Sequence, residues 1–252
     1  KNFKNKFKLN YMKDEIIVTA GVQESITLAM LSTLNENDEV LITSPRFTTY
    51  DLAVRMCNAK PIPVPTYEKN NFSLMPEEIS KRITPKTKIL VLVSPNNPTG
   101  AVTPPEKIIE IAEIIKKNNL IVIADEIYAD LVYEKHKHLS IGSLPDMKDR
   151  ALTLNGFSKT YAMTGWRIGY IAGPIDIINK MTEIRHALSI NSCTFSQYGA
   201  IAALEGPQDQ LLKMKEEYNM RRKFCMHSLN SMGFSYGEPG GAFYIYTNVS
   251  TS

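Results

Sequence analysis

Residues 88–125 read KILVLVSPNNPTGAVTPPEKIIEIAEIIKKNNLIVIAD. Two continuous Ile/Val/Leu runs, 89–93 and 120–123, flank a segment with helical spacing. A strand that is apolar at every residue has no solvent face, which suits a parallel sheet covered by helices on both sides. Between the runs, Ile108, Ile111, Ala112 and Ile115 fall on one helical face. Thr103 is read as the helix cap, Pro104 as its first turn and Glu106 as the second half of a capping box. Asn118 and Asn119 stop the helix before the next strand.

The same alternation continues in both directions. Strands are expected at 16–20, 39–44, 60–64, 88–94, 120–125, 151–155 and 167–172, and helices at 23–34, 48–56, 104–117 and 176–188. The fold class is therefore α/β, a mostly parallel seven-stranded sheet sandwiched by helices, with function at the carboxyl ends of the strands. After Gly206 and Pro207 the character changes. Residues 208–232 read as one long helix, with Leu211, Met214, Tyr218, Cys225, Leu229 and Met232 on one face and a solvated Lys/Arg face. Residues 234–236 and 240–244 then read as strand, turn and strand. The expected division is 1–206 as a large domain and 207–252 as the long helix and start of an incomplete small α+β domain.

Composition sets the class. The chain has 252 residues, 43% hydrophobic and 22% charged, ordinary values for a globular protein. Its 29 Lys+Arg against 26 Asp+Glu leave a net charge of +3, too little to argue for nucleic acid or an anionic membrane. Lys1 to Lys8 are locally basic, but no apolar run follows, so the signal-peptide pattern is absent. No apolar stretch is long enough to span a bilayer. Cys57, Cys193 and Cys225 are odd in number and widely spaced, which argues against a disulfide framework or a zinc site and for a reduced, cytoplasmic protein. No metal is expected. The chain starts at Lys1 rather than Met, and its last residues still read as strand running into loop, so both ends are expected to be cut from something longer.

Chemistry concentrates at the strand ends. Residues 155–170 read NGFSKTYAMTGWRIGY. A lysine placed just beyond a buried strand is costly unless a partner or a reaction justifies it. A Ser-x-x-Lys nucleophile is ruled out because Gly156 stands three before Lys159, and no P-loop spacing is present. Elsewhere, Ser94 to Gly100 closes a buried strand in a Pro/Gly turn, and Ala124 to Tyr128 ends another with an acid that on its own suits a ribose or a metal equally. Thr19 to Ser25 runs from strand end through Gly21 to a helix start, a turn that offers free N–H groups to a phosphate. No Gly-x-Gly-x-x-Gly follows, which disfavours a dinucleotide fold. Phe47 follows a strand and alone reads as a core residue.

The 155–170 segment closely resembles the Schiff-base signature of class I aminotransferases, in the fold-type-I pyridoxal-phosphate superfamily. The fold this implies is the large domain of such a transferase. The resemblance makes Lys159 the residue that forms the Schiff base with pyridoxal 5'-phosphate, and Arg167 and Ser158 the phosphate holders. It places the phosphate also at Gly21, Val22 and Gln23. It assigns Asn97 to the cofactor's phenolic oxygen and near the substrate carboxylate, Asp125 to the pyridinium nitrogen, Tyr128 to the phenolic oxygen, and Phe47 to stacking on the ring. Glu126 is left as structural.

The activity implied is transfer of an amino group between an L-amino acid and a 2-oxo acid, by a homodimer of the aspartate/aromatic group. The segment 191–197 would approach the partner's phosphate. Nucleic acid and membrane are not expected partners. The resemblance also implies a segment before Lys1 and a carboxylate-binding arginine beyond Ser252, with Arg221 and Arg222 poor substitutes. Cofactor affinity with weak transamination is therefore expected of these residues alone. A carbon–sulfur β-lyase and a non-catalytic cofactor-binding module of a regulator are the competing readings.

Overall fold

Seven strands form one sheet in the order β1-β7-β6-β5-β4-β2-β3 of a computed structural model that describes residues 7–250. Lys1, Lys4 and Lys6 of the basic stretch, and Ser252, lie outside the described residues. The strands are β1 (Ile16–Thr19), β2 (Glu39–Ser44), β3 (Lys60–Pro65), β4 (Thr87–Val93), β5 (Ile121–Asp125), β6 (Ala151–Gly156) and β7 (Gly169–Ala172). Helices α1 (Val22–Thr33), α2 (Thr49–Met56), α3 (Pro76–Ser80), α4 (Pro105–Lys117), α5 (Ile175–Leu188), α6 (Thr194–Glu205) and α7 (Asp209–Ser231) surround and extend it. No described helix is long and apolar enough to cross a membrane.

The continuous apolar runs behave as expected of strands buried on two sides. Along β4, Ile89, Val91 and Val93 pack on one face with Leu28 and Met30 of α1 and Met181 of α5. Leu90 and Leu92 pack on the other with Ile108, Ile111 and Ile115 of α4. Successive side chains of a strand point to opposite faces, so one run feeds two cores. Each such burial stabilises by about 1.5–3 kcal/mol. β2, β3, β4, β5 and β6 are mutually parallel, whereas β7 pairs antiparallel with both β6 and β1. The β6–β7 connection carries no crossover helix, only a 3-10 turn at Thr164–Trp166, so the chain returns in the opposite direction.

Several local expectations need correction. Pro104, not Thr103, is the N-cap of α4, with no side-chain cap, and the helix begins at Pro105. A residue before proline is driven out of the helical region; Pro104 accordingly sits at ψ 148°. The Thr103 N–H is satisfied instead by the Ser94 hydroxyl at 3.0 Å. In the tail, 240–244 is a turn rather than a strand; β8 (Ser235–Tyr236) pairs with β9 (Thr247–Asn248). The face expected of α7 is only partly covered: Cys225 and Met232 are exposed, and the buried residue of this helix is Arg222. Its guanidinium reaches Glu134 at 2.6 Å, donates to the Pro239 carbonyl at 3.1 Å and lies over the Tyr133 ring. The charged face of α7 is thus not wholly solvated.

Candidate active site

The carboxyl ends of β4, β5 and β6 and the start of α1 enclose a cavity of about 270 Å³. At its base Asp125 ends β5 and is buried. Its Oδ2 accepts a 2.6 Å hydrogen bond from the Tyr50 hydroxyl, and its Oδ1 accepts the Ile127 N–H at 3.1 Å. Burial pushes the Asp125 carboxyl up, and the two hydrogen bonds pull against it. Burial, then the neighbouring Asp125 charge, hold the Tyr50 phenol well above its ordinary value, so Tyr50 stays a donor.

One turn after β5, Tyr128 places its hydroxyl 2.6 Å from that of Tyr244. Burial first, then Tyr244, push the Tyr128 phenol well up, while an Asn97 hydrogen bond opposes them. Lys159, three residues past β6, sets its Nζ 5.9 Å from the Tyr128 ring centre and 5.5 Å from that of Phe243. The amine is therefore held beside aromatic surface at the cavity wall.

The opposite end is cationic. Gly21 caps α1 with φ 84°, a conformation that only glycine adopts without strain. The N–H groups of Val22 and Gln23 belong to the first helical turn and have no partner within the helix. The Glu24 carboxylate satisfies the Ala20 N–H at 2.6 Å, and the Thr19 and Ser25 hydroxyls pair at 2.8 Å, which fixes the turn. Arg167, itself left-handed at φ 49°, lays its guanidinium against this turn. A Cβ added to Gly21 would stand 2.5 Å from Arg167 Nη2. Arg167 also donates to the Thr164 carbonyl at 3.0 Å and the Ala20 carbonyl at 3.4 Å. Gly169 admits the same close approach, since a Cβ there would lie 2.9 Å from the Val22 nitrogen.

Of the residues singled out in the sequence, Val22, Gln23, Asn97, Asp125, Tyr128, Ser158, Lys159 and Arg167 line the cavity. Phe47 is at its mouth, 43% exposed and edge-on to Tyr50. Gly21 stands behind the wall, against Arg167. Glu126 turns away and lies 3.2 Å from His138. Two lining residues had no sequence signal of their own: Tyr50, a tyrosine on an amphipathic helix, and Tyr244, in what read as a strand. Among the described residues no cluster of three or more His, Cys, Asp or Glu could hold a metal. The donor set suits an elongated ligand: an anion at the guanidinium and helix start, a protonated ring nitrogen at the buried carboxylate, and an electrophilic carbon at the lysine amine.

Comparison with known proteins identifies the family. The sequence model of the family described as "Aminotransferase class I and II" matches residues 2–252. The chain is 41% identical over 239 residues to aromatic-amino-acid aminotransferase 2 of Thermococcus litoralis, covering 94% of this chain and 61% of that protein. It is 42% identical over 237 residues to the aspartate aminotransferase of Pyrococcus abyssi, covering 93% of this chain and 61% of the relative. The aromatic aminotransferase of Pyrococcus horikoshii OT3 superposes with a TM-score of 0.97 at 39% identity, over 98% of this chain and 67% of that one. The aspartate aminotransferase of Thermus thermophilus solved with maleate gives 0.95 at 34% identity, over 99% and 65%. The chain thus spans about 61% of the length of each of these two curated relatives. It belongs to the class I and II aminotransferase family.

Proposed function

We propose that the protein is a pyridoxal-phosphate-dependent aminotransferase that moves an amino group between an L-amino acid and a 2-oxo acid. The observation that carries this reading is that the Lys159 amine, the buried Asp125 carboxylate and the Arg167 guanidinium share one cavity. Arg167, Ser158 and the first turn of α1, from Gly21 to Gln23, hold the phosphate; Asp125 keeps the ring nitrogen protonated. Phe47 covers the ring face, and Asn97 and Tyr128 attend its phenolic oxygen. Lys159 would hold the cofactor's carbonyl carbon through Nζ. The bound ring supplies an electron sink for the carbon that bears the amino group. The Lys159 amine would act as the base that takes, and the acid that returns, the proton of the substrate's α-carbon. Positioned proton transfer of this kind contributes about 100- to 10,000-fold.

On this reading Asn97, a lining residue of the cavity, also meets the substrate carboxylate. Among the described residues of the cavity wall, Arg167 is the arginine, and on this reading it is the one that would hold the phosphate. We place the division between large and small domains near Pro207, before α7. A homodimer is favoured by the exposed apolar side chains of α6 and the turn before it, Ile190, Phe195, Tyr198 and Ile201.

An amino-donor panel with 2-oxo acid acceptors, read with cofactor spectra, tests the reading. Keto-acid-dependent amino transfer is the expected result. Pyruvate and ammonia released from a cysteine conjugate without an acceptor would mean a carbon–sulfur lyase instead.

A further inference from the structure

The Tyr128 hydroxyl has two neighbourhoods. It lies 2.6 Å from the Tyr244 hydroxyl, and it borders the cavity beside Asn97 and Lys159. A phenol owns one proton. If Tyr128 gives that proton to Tyr244, none remains for a group in the cavity. If Tyr244 gives its own, the Tyr128 proton is free to point inward.

Tyr244 is built to hold a fixed place. The Gly241 N–H donates to the Gly100 carbonyl at 2.9 Å, the Ala242 N–H to the Leu131 carbonyl at 2.8 Å, and the Tyr133 N–H to the Gly240 carbonyl at 2.9 Å. The Tyr133 hydroxyl donates to the Ala242 carbonyl. Ala242 adopts a left-handed φ of 55° within this turn. A Cβ on Gly241 would come within 2.5 Å of the Pro95 ring, so the close approach needs glycine. The turn at 240–244 is thus fastened to the two loops, after β4 and β5, that carry Asn97 and Tyr128.

We propose that Tyr244 is a positioning residue for the proposed reaction: it donates its hydroxyl hydrogen to Tyr128 and so directs the Tyr128 proton at the cofactor's phenolic oxygen. The inference rests on the cofactor reading above and does not need Tyr244 to touch the cofactor. It also makes the set of Tyr128 depend on the seating of the 240–244 turn.

The test is a double-mutant cycle. Wild type, Tyr128→Phe, Tyr244→Phe and the double variant are loaded with pyridoxal phosphate. The absorbance of the bound cofactor is titrated from pH 5 to 10, and Tm is recorded for each. A donor at the phenolic oxygen stabilises negative charge there, so losing it raises the midpoint. Tyr244→Phe is expected to raise the midpoint by about 0.4–1 pH unit, the effect of one neutral hydrogen bond. It should add nothing in the Tyr128→Phe background. A change in Tm with an unmoved midpoint, or an equal shift in both backgrounds, overturns the inference while leaving the cofactor reading intact. A wild-type protein that binds no pyridoxal phosphate overturns both.

Discussion

The Tyr50 hydroxyl donates a 2.6 Å hydrogen bond to Oδ2 of Asp125, across 75 residues of sequence, with both side chains buried. This contact ties α2 to the end of β5 and holds the carboxylate where the fold itself disfavours its charge. Removing the donor leaves Asp125 with the Ile127 N–H alone. A hydrogen bond to a charged group contributes about 1.5–3 kcal/mol. Tyr50→Phe is therefore expected to weaken pyridoxal phosphate binding by about 10- to 100-fold, measured by equilibrium titration.

Asp125→Asn separates stability from function. A carboxyl raised by burial binds its proton more tightly in the folded protein than in the unfolded chain. The stability from this preference is present at low pH and lost as pH rises through the folded value. At pH 8 the cofactor-free wild type carries a buried charge that the variant lacks, while the amide can still pair with Tyr50 and the Ile127 N–H. The variant should have the higher Tm at pH 8, with the difference narrowing as pH falls into the carboxylate range. Its turnover should fall by about 100- to 1000-fold, as when a group that stabilises developing charge is removed. A variant less stable than wild type at pH 8 would contradict the account.

Gly21→Ala introduces a Cβ 2.5 Å from Arg167 Nη2 at a φ of 84°. Strained backbone of this kind costs about 1–3 kcal/mol. The arginine must also move from the helix start. The expected outcome is a lower Tm and a larger loss of affinity for pyridoxal phosphate than for the unphosphorylated aldehyde, compared by titration with each. Equal losses for the two would mean that Gly21 and Arg167 do not form the phosphate end.

Legibility in the sequence followed the range of the interactions involved. The β4 run Ile89–Val93 declares itself because every residue is apolar, and strand alternation then sends its members to two cores. The segment around Lys159 was legible because its residues sit together in the chain. Tyr50 and Tyr244 were not, since they meet Asp125 and Tyr128 only after folding brings residues 75 and 116 apart into contact. Helix α6 escaped because its largest apolar residues do not mark a buried face: Phe195, Tyr198 and Ile201, spaced along one side, remain exposed. Arg222 looked like a solvated charge, and only the fold supplies Glu134 and the Pro239 carbonyl.

Phe195 is 83% exposed and Tyr198 is 70% exposed, on a helix that packs few of its own apolar side chains. The homodimer reading places this face between two copies. Phe195→Glu with Tyr198→Glu should convert a dimer to a folded monomer, read by sedimentation equilibrium with circular dichroism as the folding control. A monomeric wild type would end that reading.

The most direct measurement is covalent. The protein is incubated with pyridoxal phosphate, reduced with borohydride, digested and mapped by mass spectrometry. The account predicts one phosphopyridoxyl label, on Lys159, lost in Lys159→Ala. A label on another lysine, or none at all, would contradict it.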